Sequence, residues 1–375
     1  MGNMEPIKIL GGGISGLTAA INLKRAGIDV EVYERKRYCG KNTHDFQFLE
    51  NWTFAQDALQ ILQSLNININ FYYKPWYSQE IVGPSLNNCL KKSACPLMYL
   101  VKRGQMEDSI DQALQKQATD MHIPIIFKSD LTAAEADIIA SGKRKPAFTA
   151  IGITFPFDYP DKSIVILDDK LSFGIYSYFI VNDNIGEIVS INPSKRKDHQ
   201  DRFNHTVKRF EDLLNFKIRT VIHRFAAPVS FSFLDSARID GRYYIGEAAG
   251  FQDCLNGFGM MYAFKSGYHV ARSIIENDDF DHRWQVDFLK PMRVSRTNRL
   301  LFERLTNDGY EKLIAALNSR NPIIIKLLGG EDLQLILRRL YNQSVSYFFK
   351  QLLLWPQLGP IYRYFLRLIG RVVSG

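Results

Sequence analysis

Apolar and polar positions in the first forty residues predict a strand, a helix and a second strand. Ile7-Lys8-Ile9-Leu10 reads as a short buried strand, and Leu17 to Arg25 as a helix whose Ala19 and Ala20 can pack close to a sheet. Between them Gly11-Gly12-Gly13-Ile14-Ser15-Gly16 supplies G-x-G-x-x-G. Gly27 ends the helix, and Asp29-Val30-Glu31-Val32-Tyr33 alternates as a strand that finishes at Glu34, 18 residues beyond Gly16. Each piece has a task in holding a dinucleotide. Gly11 permits the tight turn, Gly13 lets the backbone approach a pyrophosphate, and Gly16 lets helix and strand touch. The helix start at Ile14 and Ser15 offers free N–H groups and the positive end of its dipole to the phosphates. Glu34 can accept hydrogen bonds from ribose hydroxyls, and Arg35 follows it.

A distant segment repeats the theme. Arg242 to Ile245 reads as a strand running into Gly246-Glu247-Ala248-Ala249-Gly250. A loop with Gly257-Phe258-Gly259 then leads into a helix over Tyr262 to Ile275. A second carboxylate after a strand, followed by a second glycine-led helix, suits a long cofactor. Glu247 can bind ribityl hydroxyls, and the helix start can stabilise negative charge on a reduced flavin ring. The plainer alternative is an ordinary strand-loop-helix unit, and the opening fingerprint alone leaves FAD and NAD open.

The chain has 375 residues, 46% hydrophobic and 23% charged, which is globular composition with room for two or three domains. Forty-seven basic against 39 acidic residues leave a net +8, a mild excess whose placement matters more than its total, and no nucleic-acid partner is expected. The cysteines Cys39, Cys89, Cys95 and Cys254 form no C-x-x-C, which excludes a zinc ribbon or a disulfide-framed secreted domain. Seven scattered histidines include no H-E-x-x-H, so no metal is expected. There is no G-x-S-x-G hydrolase elbow. The opening residues have no signal-peptide pattern, Pro6 breaks the myristoylation pattern, and no apolar run reaches about 18 residues. The expectation is a cytoplasmic protein, soluble or bound to a membrane surface.

The block from Gly246 to Gly259 resembles the G-D-A-A-G…D-P…G-x-G block of the para-hydroxybenzoate hydroxylase-like flavoproteins, and within them the geranylgeranyl reductase family. Cys39-Gly40 after Glu34 is similar to the Cys-Gly of that family, Gly83-Pro84-Ser85 and Tyr99 to Lys102 to its strand leading to an FAD-contacting arginine (here Arg103), and Ala136 to Gly142 to its strand ending in Asp-Gly. The resemblance holds in order and spacing from residue 5 to about 290. It implies an α/β fold: a discontinuous Rossmann-type FAD-binding domain of glutathione reductase-like kind, an interleaved antiparallel-sheet substrate domain and a helical C-terminal region. The expected boundaries are 1–65, 96–145 and 236–282 for the FAD domain, 66–95 and 146–235 for the substrate domain, and 283–375 for the C-terminal region.

The departures bear on function. Glu247 stands for the family's Asp, Cys254 for its Pro, and Ser141 for the Asp of Asp-Gly. Only eight residues separate Phe127 from Ala136, too few for the family's β-meander. Of the aromatic motif lining the family's lipid pocket, Tyr176, Tyr178 and Ile180 remain, with Val181 in the Pro position and Ser190 and Asn192 replacing two glycines. Tyr176 and Tyr178 are the substrate candidates, with the substrate expected between the sheet and the flavin. Cys39 and Cys254, in segments expected near the ring, are the catalytic candidates, since a thiol there can protonate a substrate carbon after hydride transfer. Simple packing is their alternative.

The leading expectation is an FAD-dependent oxidoreductase reducing a carbon–carbon double bond of an apolar, isoprenoid-like substrate. An aromatic hydroxylase and a non-catalytic flavin-binding scaffold are the alternatives. The electron donor (NAD(P)H, a ferredoxin or another) and the substrate are left open. After Asp332 no acidic side chain appears, while Arg338, Arg339, Lys350, Arg363, Arg367 and Arg371 are interleaved with aromatic and aliphatic residues. Arg363, Arg367 and Arg371 recur every fourth position on one helical face, a pattern suited to docking on an anionic membrane surface.

Overall fold

The strand Ile7–Leu10 lies inside a six-stranded sheet in the computed structural model, which describes residues 5–40, 45–142, 146–231, 234–320 and 330–342, with positions 322 and 325. In spatial order the sheet runs Arg238–Ile239, Arg242–Tyr244, Ile138–Ile139, Ile7–Leu10, Val30–Glu34 and Ile125–Phe127. The first pair is antiparallel and every other pair is parallel. Parallel neighbours need a crossover, and the helix Ile14–Arg25 provides it between Ile7–Leu10 and Val30–Glu34. That helix is buried from Ile14 through Leu23. It packs against the sheet and against the helices Ile110–Asp120 and Met260–Glu276. A small antiparallel sheet of Phe46–Glu50, Met98–Lys102 and Tyr73–Trp76 stands beside it in sequence, Met98–Lys102 pairing with both others.

The chain divides into two units: Met1–Trp76, Met98–Ala147 and Pro228–Met292 form the first, and Tyr77–Leu97, Phe148–Ala227 and Arg293–Gly375 the second. Residues 66–76 stay with the first unit because Tyr73–Trp76 completes its small sheet. Residues 283–292 stay there too: the Phe251 ring centroid lies 4.9 Å from that of Trp284 and 5.0 Å from that of Phe288.

The second unit holds a seven-stranded sheet, in order His223–Val229, Phe148–Pro156, Ile185–Pro193, Ser177–Asn182, Lys162–Ile166, Ser78–Val82 and Asn88–Lys92. It is mixed rather than purely antiparallel, because Lys162–Ile166 pairs parallel with Ser78–Val82. The nine-residue strand Phe148–Pro156 was not legible in the pattern: Thr149, Gly152 and Thr154 interrupt its apolar run, and Gly152 is needed because a Cβ there would overlap the Phe225 ring. The helix His199–Leu214 covers one sheet face through Phe203, Thr206 and Phe210, with Phe210 and Phe179 ring centroids 5.4 Å apart. Side chains alternate along a strand, so Ser177, Phe179 and Val181 face that helix while Tyr176 and Tyr178 lie on the opposite face. Among the described residues, no helix is long and apolar enough to cross a membrane.

Candidate cofactor site

The two glycine-led helices begin alike. Gly13 precedes Ile14–Arg25 and Gly259 precedes Met260–Glu276, and neither first turn has a capping side chain or an acidic residue. Three other helices of this unit are capped by Asp57, Ser109 and Asp279. In the first helix the opening bond runs from Leu17 N–H to Gly13 O, in the second from Ala263 N–H to Gly259 O. The N–H groups of Ile14, Ser15 and Gly16, and of Met260, Met261 and Tyr262, therefore have no acceptor within their helices. Such ends attract anions.

The glycines of the opening turn serve different ends. A Cβ at Gly16 would overlap the Gly11 carbonyl oxygen, so the helix touches the strand end there. Gly11 itself has φ +114°, and its Cβ would sit 2.5 Å from Ala140 O. Gly13 differs: a Cβ there would meet no protein atom within 4 Å. Protein packing gives no reason for glycine at position 13.

Glu34 is 8% exposed and held at two points. Gly12 N–H donates to Oε2 at 2.9 Å and Lys36 N–H to Oε1 at 2.9 Å. Each oxygen keeps a lone pair for a hydroxyl donor. Arg35 beside it is exposed. Gly246 brings the second half in: its φ is +56°, a Cβ there would lie 2.5 Å from Ser15 Oγ, and its N–H donates to Ser266 Oγ at 3.0 Å. Glu247, in the single turn Gly246–Ala248, is thereby set beside the start of the opening helix.

The loop before the second helix is braced internally. Asp253 is fully buried and accepts from Leu255 N–H at 3.0 Å and Asn256 N–H at 2.8 Å, while its own N–H donates to Phe258 O at 2.7 Å. Gln252 Nε2 donates to Gly257 O at 2.6 Å, and the Phe258 ring meets Trp52 edge-on at 5.1 Å. Gly257, Phe258 and Gly259 are thus held in a defined shape.

Arg103 is buried and gripped by Asp111 through Nε at 2.9 Å and Nη2 at 3.1 Å, and Nη1 donates to Gln47 Oε1 at 2.5 Å. Burial works against its charge, but Asp111, with Asp45 and Glu247 behind it, outweighs that and raises the guanidinium above its ordinary value. The forked contact fixes the Arg103 side chain. Asp111 was missed at the sequence level, since only the fold brings its helix against the strand carrying Arg103.

The structure buries both cysteine candidates. Cys39 is 0% exposed, and its Sγ would lie 2.9 Å from a Cβ at Gly12. Burial, with the Glu34 and Asp111 carboxylates adding to it, pushes its thiol up to about 12. Cys254 is 1% exposed and its thiol donates to Phe231 O at 3.5 Å. Both thiols are buried and free of disulfides, which matches the packing alternative. The substrate candidates Tyr176 and Tyr178 lie in the second unit, half-buried with ring centroids 6.2 Å apart, and the Tyr178 hydroxyl donates to Glu187 Oε1 at 3.3 Å. The basic segment beyond residue 342 lies outside the described residues.

Residues 9–70 match the NAD(P)-binding Rossmann-like domain family. A thiamine thiazole synthase from Desulfosudis oleivorans is 35% identical over 82 residues, 21% of this chain and 32% of that protein, so the chain spans about a third of that curated relative. Among solved structures, a geranylgeranyl bacteriochlorophyll reductase-like protein from Thermoplasma acidophilum superposes with a TM-score of 0.73 at 16% identity, covering 96% of this chain and 98% of that one. The fold is that of the FAD-dependent oxidoreductases. A flavin-dependent brominase follows with a TM-score of 0.59 at 14% identity over 94% and 98% of the two chains. A flavoprotein/dehydrogenase from Cytophaga hutchinsonii gives 0.59 at 11% identity over 90% and 98%.

Proposed function

We propose that the protein is an FAD-dependent oxidoreductase of geranylgeranyl reductase-like type, reducing a carbon–carbon double bond of an apolar, isoprenoid-like substrate. The observation that carries the cofactor reading is the empty space above Gly13, where an uncapped helix start meets a buried carboxylate. The free N–H groups of Ile14 to Gly16 would hold the pyrophosphate, Glu34 the adenosine ribose, Glu247 the ribityl hydroxyls, and the Met260 helix start the pyrimidine side of the ring. Bound FAD supplies a hydride acceptor and donor. The chain's part is to bind it, to keep Arg103 and Asp111 paired in the wall, and to offer positive dipole to a reduced ring. The reductase-like neighbour, which superposes over nearly the whole of both chains, supports this reading over the chemistry of the brominase.

The test is a spectrum of the purified protein, which is expected to be yellow and to release FAD on denaturation. Mass spectrometry of co-purifying lipid then identifies the substrate class. Substrate-dependent oxygen uptake coupled to NAD(P)H oxidation would assign a hydroxylase instead. A colourless protein that binds no flavin on reconstitution ends the cofactor reading.

The C-terminal segment carries a further proposal, docking on an anionic membrane surface, from which an isoprenoid substrate would be reached. Its support is the run of Arg and aromatic residues after Asp332.

A further inference from the structure

We propose that Glu50 is a proton-binding site coupled to the cofactor: its buried carboxylate takes up one proton when the bound flavin is reduced. The inference rests on the FAD reading above. Glu50 ends the strand Phe46–Glu50 and is 1% exposed, and its carboxyl oxygens have no hydrogen-bond partner from any other residue. Thr53 Oγ1 and the Tyr262 hydroxyl are buried and equally unpartnered. Folded proteins rarely leave such groups without a partner, because burial takes them away from bulk water. Glu50 and Tyr262 bear on each other electrostatically, and such a pair left without partners points to a function.

The surroundings define what that function can be. In the small sheet, apolar Met98 stands opposite Glu50, with Trp76 on the far side of Met98. Burial, opposed by its own backbone N–H and reinforced by the charge of Asp253, pushes the Glu50 carboxyl up to about 8. From the long helix comes Tyr262, held well above its ordinary range by burial and by Asp253, Glu50, Cys254 and Asp287. Asp287 is already matched by Lys265 Nζ at 2.8 Å and His269 Nε2 at 2.6 Å. Lys265 Nζ also lies 4.5 Å from the centre of the Phe54 ring. Asp253 is therefore the anion that bears on Glu50.

The residues after Glu50 reach the cofactor loop. Trp52 meets Phe258 at 5.1 Å and Phe54 meets Tyr262 at 5.8 Å. Glu50 thus stands behind Asp253 to Gly259, the loop that the FAD reading sets against the ring. A two-electron donor that delivers one proton leaves the reduced ring with a negative charge. That charge repels a carboxylate at Glu50, so reduction tightens proton binding there. Above about pH 8, where Glu50 is a carboxylate, and with dithionite as the donor, two electrons pass to the ring as dithionite is oxidised to sulfite. One proton from water joins the ring, and a second converts the Glu50 carboxylate to a carboxyl.

The test uses the FAD-loaded full chain. Its midpoint potential, measured against redox dyes from about pH 6 to pH 10, is expected to steepen above about pH 8 by one proton per two electrons. Glu50→Gln should match the native potential at low pH and lack the steepening. In parallel, infrared spectra of the native protein with labelled glutamate should show a protonated-carboxyl band that titrates away near pH 8 and is missing from Glu50→Gln. If that variant fails to fold, the native band alone decides whether Glu50 holds a proton, and the native potential whether reduction adds one. A native protein without the band, or without the steepening, overturns the proposal, as does a yellow Glu50→Gln with the native slope. A colourless protein refutes the FAD reading and the coupling with it, and the visible spectrum tells the two failures apart.

Discussion

Replacing Gly13 by alanine separates cofactor binding from folding. Position 13 has φ −87° and ψ −175°, an extended conformation open to any residue, and no protein atom lies within 4 Å of the added Cβ. Losing backbone freedom in the unfolded chain favours the variant by about 0.4–1 kcal/mol, and alanine is a worse N-cap than glycine by about as much. The ligand-free Gly13→Ala protein should therefore melt within a few degrees of the native one. A bound pyrophosphate has no such room. Pushed off the Ile14 to Gly16 N–H groups, it loses two charge-assisted hydrogen bonds worth about 1.5–3 kcal/mol each. A loss of about 3–6 kcal/mol is roughly a 10²- to 10⁴-fold weaker Kd. Titrating the apoprotein with FAD, followed by quenching of flavin fluorescence, measures it. Gly16→Ala is the counterpart, because its Cβ overlaps the Gly11 carbonyl and the fold itself must give way. Native affinity in Gly13→Ala, or melting as low as that of Gly16→Ala, would refute the reasoning.

Four further outcomes are expected. Asp111→Ala leaves Arg103 buried without its partner and should cost about 3–5 kcal/mol of stability, read from denaturant unfolding; a cost below about 1 kcal/mol contradicts the buried pairing. In the native protein a thiol reagent should react rapidly with Cys95 and slowly with Cys39, Cys89 and Cys254, and Cys39→Ala should keep flavin and turnover; a large loss of kcat with normal flavin content would return that thiol to the chemistry. Because the folded Glu50 carboxyl is raised from the ordinary carboxylate range to about 8, the folded chain binds more protons than the unfolded one between those limits. Stability should fall as pH rises through that window, so the melting advantage of Glu50→Gln should widen up to about pH 8 and then level off; a constant difference argues against a raised Glu50. Finally, the full chain should float with anionic vesicles, less so in high salt, while a chain ending at Asn342, which keeps the buried Leu333, Ile336 and Tyr341, stays at the bottom with its FAD; failure of the full chain to float ends the membrane proposal.

The amino-acid pattern by itself determined the local pieces: the strand at Ile7, the glycine turn, the helix to Arg25, the acid at Glu34 and the second strand-loop-helix around Gly246 to Gly259. These rest on periodicity, on turn chemistry and on helix starts without caps, all of which act over a few residues. Only the tertiary structure decided what surrounds them. That Cys39 lies sealed beneath Gly12, that Arg103 is claimed by Asp111, and that Glu50 is buried beside Asp253 and Tyr262 all depend on segments far apart in the chain. A thiol, a guanidinium or a carboxyl has the same formula whether it meets water or its own protein. Which of the two it meets, and therefore its charge and its chemistry, is settled by packing between distant elements.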